Sequence, residues 1–131
     1  MTVPRLSERF IHLGLGAKAV EQPPFDGMAW YEAYGARHPA DGAEGRLVSQ
    51  YTFTEGWTSW EMHPAGDEVV ICTHGRLVLM QEFPDGRVET MPLGPGEYAI
   101  NPASVWHTAD VPESATAIFI TAGEGTQHRA R

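Results

Sequence analysis

The sequence is poor in cysteine, poor in basic residues and free of long hydrophobic runs. Its one cysteine, Cys72, excludes an internal disulfide and is compatible with a reducing compartment, so we expect a cytoplasmic protein. No segment approaches the ~20 apolar residues of a membrane span, and the amino terminus lacks the apolar core of a signal peptide. We therefore expect no membrane partner.

Basic residues number 9 against 17 acidic ones, which gives a net charge of -8. A field of this sign repels phosphate backbones, so the composition argues against nucleic acid as a partner. The chain also carries no recognisable DNA-reading segment, which disfavours a transcription factor.

Turn-forming residues, in contrast, are abundant: 14 glycines and 10 prolines are spread over 131 residues. They divide the chain into runs too short for ordinary helices, so the pattern predicts strands within a single domain. The predicted strands lie near 10–14, 17–21, 46–54, 57–63, 68–74, 76–83, 87–91, 97–100, 105–110 and 115–121.

One segment is predicted to be helical and another to fray. Residues 27–35 place Trp30 and Tyr34 four positions apart on one face, with Gly35 as a suitable helix end and packing as the expected role. The polar tail, 126–131, is expected to fray, although His128 could reach back over the mouth of a pocket.

Two carboxylates and two histidines carry the chemistry of the sequence. Glu61 and His63 lie two residues apart, so on a strand they project to the same face. Glu68 begins the next predicted strand, and His107 lies on a later one. Two imidazoles and two carboxylates outline a site for a first-row metal ion. The other histidines, His12, His38, His74 and His128, are expected to be solvated side chains.

The region 61–75 resembles the first motif of the cupin family, in which two histidines flank one residue and precede a glutamate and a glycine. The matching positions are Glu61, His63, Glu68 and Gly75. Glu61 departs from the motif, because it stands where the first histidine is expected. Gly56 also departs, since it lies one residue closer to Glu61 than the motif's leading glycine usually does.

The region 96–107 resembles the second cupin motif, which has glycine, proline, glycine and histidine at fixed spacings. The matching positions are Gly96, Pro102 and His107, while Ser104 replaces the motif's second glycine. Val111 stands where an asparagine often follows. The two motifs together are far more specific than either one alone.

The resemblance implies an all-β fold, a cupin-type jelly-roll β-barrel of about ten antiparallel strands with one short N-terminal helix. Residues 46–121 would form the barrel core. Residues 1–45, with strands, a connector and the helix, would pack on it, and 122–131 would form the polar tail. The whole chain would be one domain.

The resemblance also implies a metal centre inside the barrel, with Glu61, His63, Glu68 and His107 as ligands. This ligand set suits a divalent transition metal, Fe, Mn, Ni or Zn, and a carboxylate at 61 favours Mn or Fe. Two carboxylates buried close together without a cation would be costly, which argues for the metal.

The role of Glu61 stays open between three alternatives. It could bind the metal, act as a general base beside a metal-bound water, or lie at the pocket mouth and bind an arginine or water. The function stays open between two classes. One is a metal-dependent enzyme of the oxygenase, decarboxylase or isomerase/lyase type, which the sequence favours, and the other is a noncatalytic small-molecule binder or sensor.

A small-molecule ligand would be lined by residues that share the inward face. Trp57 and Ser59 have the parity of Glu61, and Cys72 and Phe119 are expected beside them, so these four are the candidate substrate-binding residues. Cys72 is also typical of a small buried apolar side chain, and a catalytic thiol is the alternative.

Apolar residues with the opposite parity predict association. They are Trp60, Met62, Val69 and Ile71. A lone barrel would expose them unless another layer covered them, so we expect a homodimer.

Overall fold

The computed structural model describes residues 2–131, which form eleven strands, one α-helix and two short 3-10 helices. The strands are β1 (Ile11–Leu13), β2 (Ala19–Glu21), β3 (Arg46–Phe53), β4 (Ser59–Met62), β5 (Glu68–Gly75), β6 (Leu77–Glu82), β7 (Val88–Leu93), β8 (Tyr98–Asn101), β9 (Trp106–Asp110), β10 (Ala115–Thr121) and β11 (Gln127–Ala130). The helix is α1 (Ala29–Arg37), and the 3-10 helices are Leu15–Ala17 and Pro39–Glu44.

The strands form two antiparallel sheets that face each other. The six-stranded sheet has the order β2-β1-β3-β10-β5-β8, and the five-stranded sheet has the order β11-β4-β9-β6-β7. From β7 onward, each successive strand lies in the opposite sheet. This is a jelly-roll sandwich with open sheet edges, so the prediction of an all-β jelly roll is confirmed.

The core lies between the sheets, and buried residues therefore alternate with less buried ones along the strands. Val70 and Cys72 of β5 and Leu77 and Leu79 of β6 are all fully buried there. Burying a side chain such as leucine contributes about 1.5–3 kcal/mol, so these inward faces hold the two sheets together.

Gly75 explains the last position of the first cupin motif. It ends β5 with φ +71°, a left-handed conformation that favours glycine. A Cβ atom at this position would also overlap the backbone carbonyl of Ser114. The sharp passage from β5 to β6 therefore requires glycine.

The predicted helix is confirmed, but its end differs from the prediction. Trp30 and Tyr34 stack with ring centroids 5.3 Å apart, and Trp30 packs with buried Phe10 against the six-stranded sheet. The helix continues through Gly35 and ends before His38, whose backbone (φ −128°, ψ 54°) lies outside the helical region that the following Pro39 disfavours. Proline, and not glycine, ends the helix.

The tail does not fray as predicted, because residues 127–130 form β11 and pair with β4. Arg129 holds the strand in place. Its guanidinium lies 5.0 Å from the ring of Trp60 and 4.7 Å from that of Trp106, and it forms an ion pair with Glu82. Because β11 is polar and is held by its side chains, its sequence has no hydrophobic alternation from which a strand could be predicted. Within residues 2–131, none of the helices has the length and apolar character that crossing a membrane requires.

Candidate metal centre

The site lies between the two sheets, on residues that the strand register brings into line. In the five-stranded sheet, Glu61 of β4 pairs with His107 of β9, and His107 pairs with Gln81 of β6. In the facing sheet, Glu68 of β5 pairs with Asn101 of β8. Because directly paired residues share a face, both rows point into the space between the sheets.

The structure brings the four predicted ligands together. The Nε2 atom of His63 lies 3.2 Å from Glu68 Oε2, and the Nε2 atom of His107 lies 3.2 Å from Glu68 Oε1. Glu61 Oε1 lies 3.5 Å from His63 Nε2 and 3.6 Å from His107 Nε2. All four residues offer a ligand atom within 4.8 Å of the others, which is the size of a single-ion site.

Burial gives the site one open side. His107 is 0% exposed, Glu68 3% and His63 6%, whereas the side chain of Glu61 is 29% exposed. A molecule from solvent would therefore approach the site past Glu61.

The two imidazoles leave buried nitrogen atoms for which the protein supplies no hydrogen bond. Nε2 of His63 and Nε2 of His107 are both buried. Each lies 3.2 Å from an oxygen of Glu68, but the contacts do not have the geometry of a hydrogen bond. Buried polar atoms without a partner call for an explanation, and a bound ion is one such explanation. Two imidazole nitrogens and two carboxylates around one space match the ligands of a divalent transition metal, so the residues fit the group.

Glu68 is fixed by neutral polar side chains that sequence reasoning missed. Asn101 Nδ2 donates to Glu68 Oε1 at 3.0 Å, and Thr121 Oγ1 donates to Glu68 Oε2 at 2.6 Å. Gln81 Nε2 in turn donates to Asn101 Oδ1 at 2.8 Å. Such partners orient a metal ligand. Asn101 could have been predicted as a partner of Glu68 if the register between β5 and β8 had been known, because the two residues are directly paired.

Thr126 fixes the tautomer of His63. The hydroxyl of Thr126 donates to the carbonyl of Gly123 at 2.8 Å, so its oxygen is left to accept from His63 Nδ1–H, also at 2.8 Å. With the proton of the neutral ring on Nδ1, Nε2 carries the lone pair. When the ring is neutral, as metal binding requires, the lone pair is therefore on the nitrogen that faces Glu61 and Glu68.

The electrostatics of the cluster favour charge separation. Burial would raise the pKa of Glu61, but the facing imidazoles of His107 and His63 outweigh it and hold the pKa well below its usual value. Burial also opposes ionisation of Glu68, yet His63 and His107 lower its pKa. Burial would lower the pKa of His63, but Glu61 and Glu68 raise it to about 9. The two carboxylates thus remain ionised, and below about pH 9 the proton on His63 balances one of their charges.

Three of the four predicted substrate-binding residues, Trp57, Cys72 and Phe119, pack in or against the core between the sheets. Cys72 and Phe119 belong to the core between the sheets, and the Trp57 ring centroid lies 6.1 Å from both Phe119 and His107. The backbone carbonyl of Ser59 accepts a hydrogen bond from Thr108. Burial raises the pKa of the Cys72 thiol, which fits a buried apolar role.

A second cluster of His12, His38 and Asp41 corrects the expectation that His12 is solvated, while His38 is half-buried beside it. His12 is 2% exposed, and its nitrogens contact Asp41 Oδ2 at 2.7 Å and the Tyr34 hydroxyl at 2.6 Å. The His12 and His38 rings stack in parallel, 3.8 Å apart and 5° from coplanar. In-plane lone pairs of stacked rings run side by side and do not meet at one ion, and Asp41 already binds Lys18 at 3.1 Å. This cluster joins the N-terminal strands to the helix.

No model of a known protein family and no curated protein matches the sequence. Solved structures match the fold. A recombinant oxalate oxidase in complex with glycolate has a TM-score of 0.55 and 14% identity, over 63% of this chain and 45% of that one. Oxalate decarboxylase from Bacillus subtilis, described with Mn(II) centres, has a TM-score of 0.55 and 16% identity, over 65% and 23%.

A third structure, Peruvianin-I, is a cysteine peptidase from Thevetia peruviana latex, with a TM-score of 0.54 and 21% identity over 65% of this chain and 56% of that one. The chain thus spans about half the length of the first structures it matches. A peptidase, an oxidase and a decarboxylase on one fold show that the likeness concerns architecture and not activity. At 14 to 21% identity the likeness shows the fold alone, and this fold is the double-sheet jelly roll that the two sequence motifs predict.

Proposed function

We propose that the protein is a metal-dependent cupin enzyme that acts on a small organic molecule in the space between the two sheets. The observation that carries this proposal is the largely buried cluster in which Glu61, His63, Glu68 and His107 each offer a ligand atom within 4.8 Å of the others. The reaction class would be that of an oxygenase, a decarboxylase or an isomerase/lyase.

Glu61, His63, Glu68 and His107 would hold one divalent ion of Fe, Mn, Ni or Zn. When bound, such an ion supplies Lewis-acid or redox chemistry toward the oxygen atoms of a substrate. Two carboxylates favour Mn or Fe, because hard oxygen ligands suit these ions. A structure of similar fold, an oxalate oxidase in complex with glycolate, supports a small oxygen-rich substrate without identifying one.

The protein's own residues bind and orient the substrate. Glu61 is the one ligand candidate with solvent access, and it stays ionised, so it can accept a proton from a molecule at the mouth of the site. The rings of Trp57 and Phe119 would form an apolar wall next to His107, and Ser59 and Cys72 would complete the pocket.

Metal content tests the proposal and separates the roles of Glu61. The protein purified without chelator is expected to carry about one ion per chain, and His107→Ala is expected to lose it because His107 is wholly buried in the site. Exposed residues away from the site supply the matched controls, His74→Ala and Glu113→Ala, which are expected to keep the metal.

The Glu61→Ala variant distinguishes the two chemical roles. Loss of the ion means that Glu61 is a ligand, whereas retained metal with lost turnover means that it is the base. A wild-type protein that binds none of the four metals would contradict the proposal. The alternative function, a noncatalytic binder or sensor, would instead show stoichiometric ligand binding without turnover or metal dependence.

We also propose a homodimer, formed through the outer face of the six-stranded sheet. Two neighbouring rows of outward residues cross this face in register, and they are almost entirely apolar. They are Ile100, Val69, Ile120 and Val48 in one row and Tyr98, Ile71, Ile118 and Gln50 in the other. Tyr98 is 64% exposed and Ile100 50%, which is costly for a lone chain. Trp60, which was expected on this kind of surface, is instead covered by Arg129.

A cytoplasmic location is part of the same proposal. Cys72 is a free thiol, buried between the sheets, and the chain has no second cysteine with which to form a disulfide. A protein of this size that folds without disulfides is typical of reducing compartments.

A further inference from the structure

We propose that the C-terminal segment, residues 126–131, is a working part of the metal centre: Thr126 sets the nitrogen that His63 offers, and His128 limits Glu61 to a single ligating oxygen. This inference rests on the proposed metal site. It assigns positioning roles to two residues that lie outside both cupin motifs.

Strand β11 extends the row of site residues by one position. His128 pairs with Glu61 across β11 and β4, so the two side chains share the face that points toward the site. Nε2 of His128 lies 3.1 Å from Glu61 Oε2. Because an ionised carboxylate can only accept, His128 is the donor.

The hydrogen bond from His128 divides the work of the two Glu61 oxygens. Oε2 is held by His128, while Oε1 faces His63 and His107 at 3.5 and 3.6 Å. A carboxylate that rotates freely can bind an ion through both oxygens and occupy two coordination positions. Holding Oε2 outside the site leaves one more position open for a substrate oxygen.

Thr126 positions a second ligand candidate, His63, through its own hydrogen bond. Its hydroxyl donates to Gly123 and accepts from His63 Nδ1, so the ring cannot present Nδ1 to an ion without losing that bond. The segment is anchored independently of the site, since Arg129 binds Glu82 and Arg131 bonds to the backbone carbonyl of Trp57 at 3.0 Å. The two positioning residues are therefore in place before an ion binds.

The test compares disruptive and conservative variants of each residue by their affinity for Mn(II). Thr126→Val keeps the shape but loses the acceptor and is expected to weaken binding by about 10- to 100-fold, whereas His128→Phe loses the donor and is expected to change how Glu61 binds the ion. Thr126→Ser keeps the acceptor and is expected to restore most of the affinity, and His128→Gln keeps a donor and is expected to restore the wild-type coordination of Glu61. His74→Phe, an exposed histidine outside the site, is the matched control.

Electron paramagnetic resonance of the bound Mn(II) supplies a readout that a structural role would not move. His128→Phe is expected to change the zero-field splitting, because Glu61 is released to bind through both oxygens, whereas His128→Gln keeps the wild-type spectrum. Wild-type affinity and spectra in both disruptive variants would overturn the inference, as would equal losses in the conservative variants. A wild-type protein that binds no ion would instead refute the proposed function.

Discussion

Two residues at which the chain departs from the cupin motifs have clear physical consequences. Ser104 stands where the second motif has glycine, and its φ of 66° is left-handed, which explains why glycine suits the position. Its backbone N–H donates to the carbonyl of His63 at 3.0 Å, so the strained turn also fixes the backbone of a ligand candidate. Glu61 replaces a histidine and adds a negative charge at the open side of the site.

Metal affinity is expected to rise with pH until about pH 9. Burial alone would lower the pKa of His63, but Glu61 and Glu68 raise it to about 9, so at lower pH an ion must displace a proton. Each unit below that value should weaken binding by up to about tenfold. In the metal-free protein the same proton stabilises the fold, fully below the ordinary pKa of 6.5 and no longer above about 9.

Isothermal titration with Mn(II) over this pH range, in buffers of different ionisation enthalpy, measures the proton released on binding. An affinity that is independent of pH, with no proton released, would show that His63 is already neutral and would contradict the account.

The four ligand candidates could be predicted from the sequence because the alternation of side chains along a strand does not depend on exactly where the strand begins or ends. Glu61 and Glu68 lie on β4 and β5 as expected, while His63 lies just beyond β4 and still reaches the site. The contacts of Thr126 and His128 were harder to predict, because they depend on the path of the chain after β10. No local pattern encodes that path.

At the scale of elements, hydrophobic alternation predicted the strands that have one face in the core. It failed for β11, whose residues are all exposed and whose position depends on Arg129 and on pairing with β4. The predicted end of α1 at Gly35 was also wrong. Glycine is a common helix terminator, but here the backbone restriction imposed by Pro39 ends the helix later.

The outer face of the six-stranded sheet is expected to bind a second copy of the chain. Light scattering after size exclusion should give twice 14.4 kDa for the wild type. Ile100→Asp places a charge in the apolar rows and should give a monomer. Val88→Asp, at a 48% exposed residue of the other sheet, should leave the dimer intact. A wild-type mass of 14.4 kDa would contradict the proposed dimer.

At the scale of the whole molecule, the sandwich does two things for the site. It removes His63, Glu68 and His107 from water, and it supplies side chains from both sheets and from β11 to orient them. The same sandwich serves both purposes, because the site residues lie between the two sheets that also enclose the hydrophobic core. The fold fixes the geometry of the site, and the substrate is left to the residues around it.

The most direct test of this account is pulsed electron paramagnetic resonance of the protein loaded with Mn(II). The account predicts one bound ion per chain, with modulation from the nitrogens of two histidines, and the signal of only one histidine in His107→Gln. A protein that binds no ion, or an ion without histidine nitrogens, would contradict the claim that His63, His107, Glu61 and Glu68 form a metal centre.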